Sequence, residues 1–123
     1  MILVADDHAD VRFMVESVLR RSGFEVELAA DGAEALSRAR ERRPELVVLD
    51  IMMPQMSGLE VLVQLRGSSA TRRIPVILLT AKSLGTEAAT AFALGADYYI
   101  AKPFEVEQLL CGVRALLPQR RVG

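Results

Sequence analysis

Five polar residues of this 123-residue chain follow short apolar runs. They are three acids, one hydroxyl and one amine: Asp6, Asp7, Asp50, Thr80 and Lys102. The clearest run is Leu46–Leu49, which comes soon after Pro44 and ends at Asp50. A short, branched and wholly apolar run is typical of a strand that a parallel sheet buries on both faces. Asp50 is therefore expected at the carboxyl edge of a sheet, where open α/β sheets bind their ligands.

The chemistry of these groups points to phosphoryl transfer onto a carboxylate beside a metal ion. Three crowded acids repel one another, and an oxygen-rich, open site suits Mg²⁺ or another divalent cation such as Mn²⁺. Beside such a cation, Asp50 can attack phosphorus and form an acyl phosphate. The cation and the Lys102 amine would neutralise charge on the transferred oxygens, and the Thr80 hydroxyl can donate to one of them. Each residue alone is more often a turn, a cap or a solvated side chain, so the hypothesis rests on their shared edge.

The hydrophobic pattern predicts five strands that alternate with five helices. The strands are expected at 2–5, 24–28, 46–49, 75–79 and 97–101, and the helices at about 11–22, 31–43, 57–66, 86–94 and 105–117. Such alternation predicts parallel strands with helices on both faces, an α/β fold. The alternating run 24–28 is expected at a sheet edge, and the first, third and fourth strands are expected in the centre.

Local signals predict how two helices begin and which faces they bury. Asp31 with Glu34 and Ser57 with Glu60 have the spacing of capping boxes. The inward faces of the first and third helices are predicted as Val11, Met14, Val15, Val18 and Leu19, and as Leu59, Leu62, Val63 and Leu65.

Composition and charge limit the class of protein. A formal net charge of −1, from 15 basic and 16 acidic residues, leaves no electrostatic footprint for nucleic acid. No apolar run approaches the roughly 20 residues of a membrane span, and Asp6 comes too early for a signal peptide. The single Cys111 excludes an internal disulfide and fits a reducing compartment. We expect one domain over 1–118, a polar tail over 119–123 and a cytoplasmic protein that binds neither nucleic acid nor membranes.

Four motifs closely resemble the receiver domain of two-component response regulators, the family of the chemotaxis Y protein. They are Val4–Asp7, Leu49–Gly58, Leu79–Ala81 and Gly95–Phe104, and the resemblance runs from Ile2 to about Leu117. It implies a flavodoxin-like, doubly wound sheet of five parallel strands in the order 2-1-3-4-5, with five helices. It also implies a phosphorylation-controlled signalling switch that catalyses only its own phosphotransfer and dephosphorylation.

The resemblance gives the three acids separate roles. Asp50 matches the phosphoacceptor, which takes a phosphoryl group from a phosphohistidine of a sensor histidine kinase or of a histidine phosphotransfer protein. Asp6 and Asp7 match the acids that hold Mg²⁺, together with Asp50 and the backbone carbonyl of Met52.

The resemblance also implies which residues respond to the phosphoryl group. Lys102 matches the lysine that pairs with it, and the Lys102–Pro103 peptide bond matches one that is usually cis. Thr80 and Tyr99 match the switch pair, in which the hydroxyl moves towards the phosphoryl group and the ring turns inward behind it. The surface around the fourth helix, the fifth strand and the fifth helix is then expected to change.

Two residues near these motifs admit more than one interpretation. His8 follows the acidic pair, and we interpret it as a helix-start residue rather than a metal ligand because Mg²⁺ prefers oxygen. Phe13 falls outside the apolar face of the first helix, a usual docking surface in the family. It is predicted to be exposed, either as a kinase contact or as a partly covered surface aromatic.

A homodimer through the fourth helix, the fifth strand and the fifth helix also stays open. Winged-helix regulators often dimerise there through an acid at the position of Tyr98 and basic residues in the preceding helix. Here that helix, over 86–94, has no basic residue, and only Asp97 and Arg114 resemble the pattern.

Three other functions are less well supported by the residues. A phosphatase with an aspartyl nucleophile usually has a second acid two residues later, where this chain has Met52. A nucleotide- or flavin-binding module would need a glycine-rich phosphate loop after the first strand, and residues 6–9 have the wrong charge. A degenerate receiver without phosphorylation is disfavoured because every site residue is present.

Overall fold

The alternation of five strands and five helices is confirmed, with ends that differ from the predicted ones by a few residues. The structure, a computed structural model, describes residues 1–81 and 85–117, the side chains of 85–88 excepted. The elements are β1 Ile2–Ala5, α1 Ala9–Arg21, β2 Val26–Ala29, α2 Gly32–Arg42, β3 Leu46–Asp50, α3 Gly58–Arg66, β4 Val76–Thr80, α4 Gly85–Ala93, β5 Tyr98–Ala101 and α5 Val106–Leu116. The predicted tail over 119–123 and residues 82–84, which follow β4, lie outside the described residues.

The strands form a parallel sheet in the order β2-β1-β3-β4-β5, which is the flavodoxin-like order that the resemblance implied. The predicted positions of β2 at an edge and of β1, β3 and β4 in the centre are confirmed. One apolar cluster joins the sheet to α2, α3 and α4, and a second joins the other face to α1 and α5. Within the described part of the chain, no helix combines the length and apolar character needed to cross a membrane.

The two predicted helix starts form in different ways. Ser57 and Glu60 make the full capping box, since each side chain accepts from the other residue's backbone N–H. At α2 the Asp31 side chain accepts from the Glu34 N–H as predicted. The Glu34 side chain, however, accepts from the N–H of Ala30 at 2.8 Å. The return bond therefore reaches the residue before the cap.

The predicted inward faces were wrong at Met14 and Val63, whose side chains are exposed at 37% and 47%. The buried positions of α3 are Gly58, Val61, Leu62 and Leu65, a strict helical stripe. Val63 lies outside that stripe, on the exposed side of the helix.

Arg66, at the end of α3, forms hydrogen bonds to the segments that precede β4 and β5. Its Nε and Nη2 donate to the Gly95 carbonyl at 3.0 and 2.8 Å, and Nη2 also donates to Asp97 Oδ2 at 2.9 Å. Nη1 donates to the carbonyls of Ile74 and Arg72 at 2.7 and 3.1 Å. The guanidinium thereby connects the loop before β4 to the turn between α4 and β5.

Candidate functional site

The sheet register brings the predicted residues to one edge. Ala5 of β1 pairs with Leu49 of β3, so Asp6 and Asp50 follow side by side. Thr80 of β4 pairs with Ala101 of β5, so Lys102 leaves the sheet next to them. Asp6, Asp50 and Thr80 are buried. The predicted convergence at the carboxyl edge is therefore present.

Four titratable side chains form a group that could hold a cation. One ligand atom from each of Asp6, Asp7, His8 and Asp50 lies within 4.8 Å of the others. Three of the four are carboxylates, the donors that hard divalent cations prefer. Because Asp6 and Asp50 are buried next to each other, a cation would also relieve their repulsion. The donor set therefore fits Mg²⁺ or a similar ion.

Lys102 already neutralises part of that charge. Its Nζ lies 2.8 Å from Asp6 Oδ2 and 3.3 Å from Asp50 Oδ2. Its backbone N–H donates to the Thr80 carbonyl at 2.6 Å, which ties the end of β5 to the end of β4. The peptide bond to Pro103 is cis, as the resemblance implied. The ammonium thus lies between two of the three acids.

Asp50 is held in an environment that disfavours its charge. Burial, followed by the nearby charge of Asp6, raises the pKa of the Asp50 carboxyl above its ordinary value. The Lys102 ammonium and the N–H of Met52, 3.4 Å from Asp50 Oδ1, act in the opposite direction. The net effect leaves a carboxylate that gains from a further positive charge.

Gly58 determines how closely the next helix approaches Asp50. Its N–H donates to the Ile51 carbonyl at 2.9 Å, and a Cβ at this residue would collide with the Asp50 carbonyl. The loop 51–57 can therefore return to the end of β3 only because residue 58 has no side chain.

Thr80 and Tyr99 lie on the same face of the sheet. Leu78 pairs with Tyr99 and belongs to the cluster under α3 and α4, and Tyr99 packs against that cluster. Thr80, two residues beyond Leu78, points to the same face. Tyr98 packs on the opposite cluster, as predicted. The Phe92 ring of α4 lies 6.3 Å from the Tyr99 ring, between centroids.

Two residues of α1, Arg12 and Phe13, lie near the site. Phe13 is 55% exposed, which confirms its predicted exposure, and the Arg12 guanidinium lies 5.5 Å from its ring centroid. Arg12 also donates through Nη1 to the Asp6 carbonyl at 2.7 Å, a contact that sequence reasoning missed. Its signal is weak, since an arginine in a first helical turn is ordinarily solvated.

One carboxylate oxygen of Asp97 accepts hydrogen bonds from within its own chain, while the side chain stays 40% exposed. Its Oδ2 accepts from Arg66 Nη2 and from the Val76 N–H, both at 2.9 Å. One of the two residues that resembled the family's dimer pattern is thus engaged within its own chain.

Comparison with known proteins gives one consistent result. The family model for the response regulator receiver domain matches residues 2–114. The response regulator MprA of Mycobacterium tuberculosis is 46% identical over 116 residues, which are 94% of this chain and 50% of MprA. The chain spans about half the length of the curated relatives it matches.

Solved structures agree with the fold. The chemotaxis protein CheY4 of Vibrio cholerae superposes with a TM-score of 0.88 at 35% identity, over 94% of this chain and 97% of CheY4. The receiver domain of the sensor histidine kinase PA1611 from Pseudomonas aeruginosa, with a magnesium ion coordinated in its active site cleft, gives 0.87 at 29% identity, over 95% and 96%.

Proposed function

This chain belongs to the response regulator receiver domain family, and we propose that it is a signalling switch controlled by phosphorylation of Asp50. The observation that carries the proposal is the surroundings of this carboxylate. Asp50 is buried at the end of a central strand, Lys102 Nζ lies 3.3 Å away, and two further acids lie within reach of the same cation. Positive groups around a buried carboxylate would stabilise the charge on a phosphoryl group transferred to it, so the site suits phosphoryl transfer.

Each residue then has a defined part in the transfer. A carboxylate oxygen of Asp50 forms a bond to phosphorus as the P–N bond of a phosphohistidine breaks, and the histidine nitrogen leaves with its electron pair. Lys102 neutralises charge on the transferred oxygens. Asp6, Asp7, Asp50 and the backbone carbonyl of Met52 would hold Mg²⁺, which adds further positive charge when bound. The magnesium in the cleft of the PA1611 receiver domain supports this assignment.

The readout follows from the charge that is added. A phosphoryl group brings about −1.5 to −2 charges and three strong acceptors to this edge of the sheet. The Thr80 hydroxyl gains an acceptor there, and Tyr99, on the same face, can fill the space that it leaves. The change would then reach the surface around α4, β5 and α5. This domain would catalyse only its own phosphotransfer and dephosphorylation.

The phosphodonor is expected to be a sensor histidine kinase or a histidine phosphotransfer protein. Phe13, exposed on α1, offers an apolar contact for it. Phe13→Ala should slow transfer from the protein donor and leave phosphorylation by acetyl phosphate unchanged. Equal loss with both donors would contradict a docking role.

We also propose the residue range of the domain and its location in the cell. We place one receiver domain over 1–118, in the cytoplasm, with no direct contact to nucleic acid or membranes. A homodimer through α4, β5 and α5 has less support, since Asp97 is engaged with Arg66.

Intact-mass measurement tests the proposal. After incubation with Mg²⁺ and acetyl phosphate, the wild-type chain should gain the mass of one phosphoryl group. Asp50→Asn should gain none, and Asp10→Asn, a change at an exposed acid on α1, should behave as wild type. An unmodified wild type would contradict the proposal.

A further inference from the structure

The imidazole of His8 is directed at the acids of the site rather than at the helix that it precedes. Its side chain makes no capping hydrogen bond to α1. Its backbone N–H donates to Asp6 Oδ1 at 2.9 Å, which fixes the residue beside the acids. Nδ1 lies 3.3 Å from Asp6 Oδ1 and 3.3 Å from Asp7 Oδ1. The ring therefore belongs to the group of cation-binding candidates.

These distances are close to those between neighbouring ligands of one cation. In an octahedral site with ligands at about 2.0–2.1 Å, adjacent ligand atoms lie roughly 3 Å apart. His8 Nδ1 is close to that spacing from two carboxylate oxygens, and it lies within 4.8 Å of the Asp50 ligand atom. Because the ring is 66% exposed, it can turn towards a cation without disturbing the core.

His8 is the N-cap residue of α1, which confirms its expected place at the start of the helix. The argument that it is not a metal ligand rested on the preference of Mg²⁺ for oxygen. That argument does not apply to transition metals, whose sites commonly include imidazole. Without a cation, the contact of Nδ1 with Asp6 Oδ1 is a hydrogen bond that needs a hydrogen on Nδ1. The other neutral tautomer, which carries its hydrogen on Nε2, leaves the Nδ1 lone pair for a cation.

We propose that His8 supplies a nitrogen ligand to the cation site and shifts the site's preference from Mg²⁺ towards Mn²⁺. The inference rests on the proposed function, because it uses the same acids. Asp6, Asp7 and Asp50 make the site a cation site, and His8 selects among the cations. The chain would accordingly be loaded with Mn²⁺ at concentrations where an all-oxygen site would not be.

Two variants separate ligation from simple positioning. His8→Asn keeps an N–H that can donate to the acids but lacks the imidazole lone pair, and His8→Ala lacks both. Pulsed electron paramagnetic resonance of bound Mn²⁺ should show coupling to a directly bound nitrogen in the wild type and in neither variant. Calorimetry should show Mn²⁺ affinity about tenfold weaker in both variants, with Mg²⁺ affinity within about twofold of wild type.

Four outcomes would overturn the inference. Absence of nitrogen coupling in the wild type would exclude ligation. Wild-type Mn²⁺ affinity in His8→Ala, whose side chain has no ligand atom, would exclude a contribution of the imidazole to cation binding. If neither cation binds the wild type, the proposed site fails as well. Mg²⁺ binding that is lost in Asp7→Asn, with no effect of His8 on Mn²⁺, would retain the proposed site and reject only the role of His8.

Discussion

Lys102 Nζ lies 3.3 Å from Asp50 Oδ2, between the proposed acceptor and the neighbouring carboxylate of Asp6. The lysine comes from the end of β5 and the acceptor from the end of β3, so the contact spans two strand positions of the sheet. One ammonium faces two buried acids, and the site therefore retains excess negative charge. This excess negative charge should affect the stability of the chain, cation binding and phosphoryl transfer.

The stability of the metal-free chain should depend on the charge of Asp50. The folded chain holds the Asp50 proton more tightly than the unfolded chain, because burial and Asp6 raise the pKa of this carboxyl. Ionisation of Asp50 therefore costs folding free energy as the pH rises above the ordinary value of 3.8. Asp50→Asn should raise the thermal midpoint by a few degrees at pH 7. The gain should shrink as the pH falls towards 3.8 and vanish below it, where Asp50 is protonated in both states.

Thermal unfolding in chelator between pH 4 and pH 8 measures this difference. Added Mg²⁺ should raise the midpoint of the wild type more than that of Asp50→Asn, because the cation binds only the folded site. A variant that is less stable than wild type at pH 7 without metal would contradict the charge imbalance.

Removal of the lysine should separate cation binding from phosphoryl transfer. Lys102→Met leaves Asp6 and Asp50 without their ammonium, so Mg²⁺ should bind several-fold more tightly in calorimetry. Phosphorylation by acetyl phosphate should slow by at least about tenfold, because one group that neutralises the transferred oxygens is missing. Lys102→Arg keeps the charge and should keep Mg²⁺ affinity near wild type. Unchanged Mg²⁺ affinity in Lys102→Met would show that the ammonium does not compete with the cation.

Gly58→Ala should lower the stability of the fold and slow the reaction at the site. The added Cβ collides with the Asp50 carbonyl, and we expect a loss of roughly 1–3 kcal/mol in the free energy of unfolding. Acetyl phosphate should also modify this variant more slowly. Gly67→Ala is the matched control at the other end of α3. Its Cβ would meet only an ordinary contact at 3.4 Å, and its φ of −82° suits alanine.

Urea unfolding and mass time courses compare these two glycine variants. Gly67→Ala should be neutral or more stable by about 0.4–1 kcal/mol, since alanine restricts the unfolded chain. Equal stability of the two variants would mean that the close approach of α3 to β3 is not needed.

Arg66→Lys should destabilise the chain by about 2 kcal/mol, because one ammonium cannot reproduce hydrogen bonds to the Gly95, Ile74 and Arg72 carbonyls and to Asp97. Arg73→Lys changes an exposed arginine of the neighbouring loop and should stay within about 0.5 kcal/mol of wild type. Urea unfolding measures both. If Arg66→Lys lowered the free energy of unfolding no more than Arg73→Lys does, a lysine ammonium could replace the Arg66 guanidinium.

A feature could be predicted from the sequence where the type of a residue and its position in the pattern indicate the same structure. Buried parallel strands are marked by wholly apolar runs, and the fold itself brings Asp6, Asp50, Thr80 and Lys102 to one edge. The sheet order followed from the family resemblance, with the alternating pattern of β2 indicating an edge.

Three features depended on information that side-chain patterns do not contain. The partners of Arg66 are mostly backbone carbonyls, which any residue can supply. Val61 and Val63 are alike in type, and only Val61 lies on the buried stripe of α3 with Gly58. The direction of the His8 ring depends on its rotamer, which the order of residues does not specify.

The central claim is that Asp50, among three clustered acids, accepts the phosphoryl group. Borohydride reduction after treatment with Mg²⁺ and acetyl phosphate converts an aspartyl phosphate to homoserine, and tandem mass spectrometry of the peptides locates that residue. We predict homoserine at position 50 and unmodified Asp6 and Asp7. Homoserine at position 6 or 7, with Asp50 intact in a modified chain, would contradict the account.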